Sequence, residues 1–90
     1  MRYVYLLLLS NGDIYKGSTE DMNRRLKEHS DGKVAATRNF RPYELIGFEA
    51  YVWNSDAWRR ERFLKTTEGR RLLHQQYRDA LNKKNEQGTL

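Results

Sequence analysis

Residues 3–29 read YVYLLLLSNGDIYKGSTEDMNRRLKEH and contain two strand-like segments, a turn between them and an amphipathic helix. The first segment, residues 3–9, is apolar without alternation, which is typical of a central strand covered on both faces. Residues 10–13 predict a hairpin turn, and residues 14–17 predict the returning strand. Thr19 is a suitable N-cap, so we expect the helix to begin directly after it.

The length of the turn decides which face of the sheet each tyrosine occupies. A two-residue turn, which local sequence rules favour, would place Tyr5 and Tyr15 on opposite faces. A three-residue loop over residues 10–12, with Gly12 in the left-handed conformation, would pair Tyr5 with Gly17 and place both phenols on one face. We predict the three-residue loop, because shared chemistry by the two phenols requires it.

The rest of the chain predicts one further strand and two further helices. Residues 43–52 are rich in β-branched and aromatic side chains, which favours a strand. Helices are expected over about residues 56–65 and over 67–81. We therefore predict one α/β (α+β) domain over residues 1–82, with a disordered tail over 83–90. Its sheet is expected to be three-stranded and antiparallel, in the order 2-1-3, flanked by helices on both sides.

The composition narrows the class of protein. The chain has 90 residues, a hydrophobic content of 38% and no cysteine, which excludes disulfides and thiolate metal sites. A net charge of +5 favours an anionic partner without identifying it. The apolar run over residues 4–9 is too short to cross a bilayer and does not resemble a signal peptide. We therefore expect a cytoplasmic protein that does not associate with membranes.

The first helix carries two polar side chains on its apolar side. On a helical wheel Met22, Arg25, Leu26 and His29 share one arc of about 100°. Because Met22 and Leu26 must face the sheet, Arg25 and His29 are expected to face it too. An arginine in that position extends its charged group to the solvent at the edge, pairs with a structural carboxylate or belongs to a functional cleft.

Glu61 is a second inward-facing charge, on another helix. It shares a helix face with Ala57 and Leu64, so it is expected to be ion-paired or bound to a metal. Arg25 is an available partner, and a buried Arg25–Glu61 bridge is therefore one explanation. A cleft that combines a carboxylate, a guanidinium, phenols and an imidazole would instead suit phosphate chemistry.

Three segments together resemble one known family. They are residues 3–29, residues 36–51 (ATRNFRPYELIGFEAY) and residues 55–65 (SDAWRRERFLK), and they resemble the GIY-YIG nuclease domain of the small stand-alone bacterial type. The likeness covers the chain to about Leu73, where some members have a polar residue.

The resemblance implies a set of functional residues. The matching catalytic positions are Tyr5, Tyr15, Arg25, His29 and Glu61. It implies further that Glu61 holds a single divalent ion, usually Mg²⁺, and that a motif tyrosine activates water for attack on a phosphodiester. The arginine would then stabilise the charge that develops on the phosphorus oxygens.

Other residues are expected to support this chemistry. The side chains or backbone positions expected to contact nucleic acid are Lys16, Gly17, Lys33, Arg38 and Arg41. The basic residues among them could equally be solvated surface. A tyrosine with its ordinary pKa near 10 is a poor base, so cationic neighbours must lower that pKa, and we expect Lys16 and Arg25 to do so.

The function predicted from the sequence is therefore a Mg²⁺-dependent endonuclease that acts on DNA, or on a structured or damaged form of DNA. One alternative is a non-catalytic nucleic-acid-binding module on the same scaffold. Another is a structural domain whose inward charges pair with each other.

Overall fold

A computed structural model describes residues 1–89 and shows three strands and four α-helices. The elements are β1 (Arg2–Leu8), β2 (Ile14–Thr19), α1 (Met22–Ser30), β3 (Glu44–Tyr51), α2 (Asn54–Leu64), α3 (Thr67–Gln76) and α4 (Arg78–Thr89). A short 3-10 turn, Arg38–Phe40, precedes β3. The sheet is antiparallel with the order β2-β1-β3, which confirms the predicted fold class. None of the described helices is long and apolar enough to cross a membrane.

The hairpin between β1 and β2 has the predicted three-residue loop. The backbone amide of Leu9 donates to the carbonyl of Asp13 at 2.9 Å and closes the loop. Gly12 has φ +91°, in the left-handed region that glycine adopts readily. Tyr5 lies opposite Gly17, as predicted, so the two motif phenols share one face of the sheet.

Both faces of the sheet are covered, which explains why β1 is apolar without alternation. On one face the buried residues of β1 and β2 pack against α2 and α3, and this cluster comprises Val4, Leu6, Leu8, Ile14, Ala57, Leu64 and Leu73. On the other face Tyr5, Leu7 and Leu9 pack against Met22 and Leu26 of α1. Helices therefore flank the sheet on both sides, as expected.

The first helix begins two residues later than the sequence predicts. Its N-cap is Asp21, whose carboxylate oxygen Oδ1 accepts a hydrogen bond from the backbone N–H of Arg24 at 3.0 Å. Thr19 is the last residue of β2, and its hydroxyl accepts the amide of Asp21 at 3.1 Å. The predicted cap therefore organises the turn before the helix, because a threonine hydroxyl serves a turn as readily as a cap.

The helix predicted over residues 67–81 is divided in two at Tyr77. This residue lies between α3 and α4 with φ −104° and ψ 25°, outside the helical region. Its phenol packs directly over Gly47 of β3, in space that a side chain at that position would fill. Because Tyr77 packs on the sheet, α3 ends at Gln76 and a separate helix begins at Arg78. Helix α4 extends through Thr89, into the segment for which a disordered tail, 83–90, was predicted; Leu90 lies outside the described residues.

Candidate active site

Tyr5 is at the centre of a polar cluster between the sheet and α1. Its side chain is fully buried, and its hydroxyl oxygen lies 2.8 Å from Nε2 of His29. Arg25 donates from Nε to the same oxygen at 3.3 Å. The ring centroid of Tyr15 lies 6.1 Å from that of Tyr5 and 5.2 Å from that of His29. Four of the five predicted catalytic side chains therefore lie together on one face of the sheet.

The cluster continues to Thr37, which the sequence analysis did not single out. Nδ1 of His29 lies 2.7 Å from the hydroxyl of Thr37, and both residues are fully buried. Because Tyr5 accepts from Arg25, its own O–H is free to donate to Nε2, which assigns the proton of the imidazole to Nδ1. A chain of hydrogen bonds thus connects Arg25, Tyr5, His29 and Thr37.

The pKa of Tyr5 moves in the direction opposite to the expected one. Burial raises the pKa of Tyr5 to about 12, although the hydrogen bond from Arg25 works against this rise. Lys16 does not help, because it lies opposite Leu6 and shares the other face of the sheet with it. The expectation that Lys16 and Arg25 together lower the tyrosine pKa is therefore wrong, since alternation along β2 turns Lys16 away from the phenols.

His29 is neutral at physiological pH. Burial, followed by the positive charge of Arg25, lowers the pKa of His29 below its ordinary value of 6.5. A neutral imidazole with a proton on Nδ1 leaves Nε2 free to accept a proton from Tyr5. The cluster therefore contains a proton acceptor beside a phenol that does not ionise by itself.

We expect the stability of the fold to fall in acid because of His29. Between the lowered pKa of folded His29 and the unfolded value near 6.5, the unfolded chain binds more protons. The free energy of unfolding should thus decrease as the pH falls from 6.5 toward the folded pKa. Urea unfolding between about pH 7.5 and pH 5 measures this dependence. The His29→Gln variant should lose it, and the variant of the exposed His74, His74→Gln, should keep it. An unchanged pH dependence in His29→Gln would contradict the role of this histidine.

Gly17 provides the space that Tyr5 occupies. A Cβ atom on Gly17 would lie 2.5 Å from both Cζ and the hydroxyl oxygen of Tyr5, and 2.9 Å from Cε1 of Tyr15. Contacts this short require the aromatic rings to move. Gly17, which the sequence predicts to lie opposite Tyr5, thus makes room for the hydroxyl of that tyrosine.

The Gly17→Ala variant is therefore expected to be less stable by about 1–3 kcal/mol, the usual penalty for overpacking. It should also shift the titration of His29, because Tyr5 is displaced from Nε2. Urea unfolding and an NMR titration of the His29 ring measure the two effects. Gly12→Ala is the matched control: it strains the backbone at φ +91° but meets no atom within 4 Å, so its His29 titration should stay unchanged. Wild-type stability in Gly17→Ala would show that the rings move aside without penalty.

Glu61 lies on the other side of the sheet from the tyrosine cluster. Its carboxylate accepts a hydrogen bond from Lys65 at 2.8 Å, and its side chain is 20% exposed. Burial raises its pKa, but the hydrogen bonds from Lys65 and from Ser18 outweigh burial, so the pKa of Glu61 is lowered. Ser18 follows Gly17 in β2, so the ionised carboxylate approaches the edge strand beside the cluster.

The buried Arg25–Glu61 bridge does not form. Arg25 pairs instead with Glu28, one turn along the same helix, at 3.2 Å. The two charges that the helical wheel directs inward belong to helices on opposite faces of the sheet, which a wheel drawn for each helix alone does not reveal. The explanation of these charges as partners of each other is therefore wrong.

A family model described as the GIY-YIG catalytic domain matches residues 1–78. The chain belongs to the GIY-YIG family. This is a nuclease-type domain, and the substrate class that it implies is nucleic acid.

Two relatives and one solved structure with similar sequences are UPF0213 proteins. UPF0213 protein SERP0126 of Staphylococcus epidermidis is 38% identical over 65 residues, which cover 71% of this chain and 79% of that protein. UPF0213 protein HQ_3675A of Haloquadratum walsbyi is also 38% identical over 65 residues, with 71% and 73% covered. The solution NMR structure of the UPF0213 protein BH0048 from Bacillus halodurans is 34% identical, with a TM-score of 0.53, and the match covers 81% of this chain and 82% of that one.

In this GIY-YIG protein Glu61 is suited to hold a divalent ion as a single protein ligand. Among the described residues, no three His, Cys, Asp or Glu side chains lie together as a metal site. One ionised, partly exposed carboxylate matches Mg²⁺, which usually keeps several waters and binds through one or two carboxylates plus a phosphate. Lys65 would have to leave the carboxylate oxygen that it now occupies.

The residues predicted to contact nucleic acid are divided between two surfaces of the domain. Lys33 is exposed, and Lys16 lies on the face that α2 and α3 cover. An open cavity of about 670 Å³ is lined by Ser30, Arg38, Arg41, Pro42 and Tyr43. The ring centroid of Tyr43 lies 6.0 Å from that of His29, so this basic cavity borders the tyrosine cluster.

Arg41 is positioned by the end of α1. Its guanidinium donates to the carbonyls of Ser30 at 2.9 Å and of Arg38 at 3.0 Å. Part of its hydrogen-bonding capacity is thus used within the fold, while the residue also lines the cavity. Arg41 therefore has a structural role at the end of α1, and its contact with nucleic acid stays a prediction.

Proposed function

We propose that the protein is a Mg²⁺-dependent endonuclease that hydrolyses phosphodiester bonds of DNA, including structured or damaged DNA. The observation that supports this proposal most is the convergence of Tyr5, Tyr15, Arg25 and His29 on one face of the sheet. A domain that needed these groups for packing alone would not gather a guanidinium, an imidazole and a second phenol around one tyrosine.

Arg25 is placed to stabilise the charge of a phosphate under attack. Nε donates to Tyr5 and Nη1 to Glu28, which fixes the plane of the guanidinium. Its side chain remains 33% exposed, so further N–H groups are open to a ligand. Nucleophilic attack adds negative charge to the phosphorus oxygens. A guanidinium that is already fixed in position stabilises that charge without rearranging.

Tyr5 and His29 together supply the base. A phenol with a pKa of about 12 is seldom ionised at neutral pH, but the O–H of Tyr5 already points at Nε2 of His29. Tyr5 is buried, so this relay requires the attacking water to reach its hydroxyl oxygen from the side of the partly exposed Arg25. As that water transfers a proton to the oxygen, Tyr5 transfers its own proton to Nε2. Thr37, which accepts from Nδ1, stabilises the imidazolium that results.

Glu61 is the residue that we propose holds the metal. When bound, Mg²⁺ neutralises phosphate charge and stabilises the leaving oxygen. Glu61 contributes an ionised carboxylate near β2, and the metal would take the place that Lys65 now occupies on that carboxylate.

A second candidate function is a non-catalytic nucleic-acid-binding module. The observation that favours it is the ion pair of Glu61 with Lys65, which occupies the carboxylate that the enzyme would need for its metal. The basic cavity beside Tyr43 would serve such a module equally well.

Incubation with supercoiled plasmid and with single-stranded DNA, in Mg²⁺ or in EDTA, distinguishes the two functions. The enzyme is expected to nick or cut DNA in Mg²⁺ and to be inactive in EDTA. A mock preparation from cells that lack the protein, purified in the same way, controls for contaminating nucleases. Binding of DNA without cleavage in any divalent ion would leave the module as the better account.

A further inference from the structure

A second basic pocket lies on the opposite face of the sheet from the tyrosine cluster. It has a volume of about 260 Å³, and it is lined by Asp13, Ile14, Lys16, Lys65, Arg70 and His74. Three of these side chains carry a full positive charge, and Asp13 is the carboxylate in the lining. The pocket is therefore an electropositive concavity, and a volume of this size holds a phosphate group with water around it.

The positive charge in this pocket is only partly balanced. In the described part of the chain Lys16 forms no ion pair, although its side chain is partly buried. Burial, and then the charges of Arg70 and Lys65, lower the pKa of Lys16, as expected where cations crowd together. Arg70 is fixed by donating to the carbonyl of Lys65 at 3.1 Å. A partly buried lysine among other cations, with Asp13 as the carboxylate whose charge works against the lowering of its pKa, is an arrangement that a further anion would stabilise.

The pocket and the tyrosine cluster are separated by a single edge strand. Lys16 lies opposite Leu6 and faces α2 and α3, whereas its neighbours Tyr15 and Gly17 face α1. Because β2 is at the edge of the sheet, nothing in the sheet itself lies beyond it. A chain of phosphates that crosses this edge would meet the tyrosine cluster on one face and the basic pocket on the other.

We propose that the pocket formed by Lys16, Lys65, Arg70 and His74 binds a second backbone phosphate of the nucleic acid, in a single-stranded stretch next to the bond that is cleaved. This inference rests on the proposed function, because it takes the tyrosine cluster as the place of the first phosphate. A backbone that bends around a strand edge must be flexible, and a single strand bends there more readily than a duplex, whose bending costs several kcal/mol.

Binding measured in EDTA tests the pocket independently of cleavage. The probes are a fluorescein-labelled single-stranded oligonucleotide and a duplex of the same length, titrated by anisotropy over a range of salt concentrations. For the single strand, log of the association constant decreases with log salt concentration. The magnitude of this slope should become smaller by about 0.7 for each phosphate contact that is lost. We expect that fall in Lys16→Gln and in Arg70→Gln. Lys16 is the safer variant, because Arg70 also holds a carbonyl at the end of α2.

Arg71→Gln is the matched control, since it removes the same charge from the next position of α3, where Arg71 pairs with Glu68. Its slope should equal that of the wild type. An equal fall in all three variants would show a general charge effect and overturn the proposal, as would an unchanged slope in Lys16→Gln. The same loss of slope with the duplex would overturn the assignment to a single strand.

An NMR titration with inorganic phosphate distinguishes a free anion from a nucleic-acid backbone. Backbone amide shifts at Lys16 and Arg70 together with the altered DNA slope support the proposal. Amide shifts without any change in the DNA slope would mean that the pocket takes free phosphate only, and would overturn it. If the plasmid assay finds no cleavage while the slopes change as expected, the endonuclease proposal fails and the pocket stands as a binding subsite.

Discussion

The Glu61→Gln protein is expected to fold normally and to lose Mg²⁺-dependent cleavage. Glutamine keeps the shape of the side chain and can still accept the hydrogen bond from Lys65, so little stability should be lost. It removes the negative charge, however, and a neutral amide is a poor ligand for Mg²⁺. Plasmid nicking measures the loss, and thermal unfolding verifies the fold.

Glu68→Gln is the matched control for this variant. Glu68 is a glutamate on the neighbouring helix α3 that pairs with Arg71, so the same change removes the same charge from an exposed ion pair. Cleavage by Glu68→Gln should equal that of the wild type. Mg²⁺-dependent cleavage retained by Glu61→Gln would exclude Glu61 as the metal ligand.

The Arg25→Ala protein is expected to lose about 10²-fold or more in cleavage rate, as when one donor that stabilises charge is removed. Its stability should change little. The Arg25–Glu28 pair is a half-exposed pair within one helix, of the kind that contributes about 0–1 kcal/mol. The hydroxyl of Tyr5 also keeps its hydrogen bond to His29. Single-turnover cleavage and urea unfolding separate the two effects.

Arg24→Ala provides the comparison, because Arg24 is the adjacent arginine of α1 and is exposed. It removes the same charge from the same helix but does not contact Tyr5, so its rate should stay close to that of the wild type. If Arg25→Ala unfolds instead, Arg25 is a structural residue. Equal rates for the two variants would indicate that positive charge in general, and not this guanidinium, supports cleavage.

The hairpin between β1 and β2 is a part of the fold that the sequence predicts in detail. Asn11-Gly12 favours a tight turn by local rules, and the longer loop was predicted only because two phenols had to share a face. The structure confirms that loop, with Tyr5 opposite Gly17. The order of the strands followed with it, since the apolar β1 had to be central. Patterns that repeat along one element were therefore sufficient to predict the strand order of the sheet and the shared face of Tyr5 and Tyr15.

Contacts between distant elements could not be predicted in the same way. The break at Tyr77 depends on Gly47 of β3, thirty positions away in the chain. The hydrogen bond of His29 with Thr37 joins a helix to a loop that has no periodic pattern. The face on which Lys16 lies could have been predicted, however, because alternation along β2 turns Lys16 away from Tyr15.

The three-residue hairpin loop also limits how related chains can diverge. Inserting or deleting one residue between Leu9 and Asp13 would move β2 by one position and exchange Tyr15 with Lys16 across the sheet. Substitutions at the exposed Ser10 would leave that arrangement intact. We therefore expect lineages that keep the chemistry to vary this loop in residue identity at constant length, so that its length is inherited as strictly as the phenols themselves.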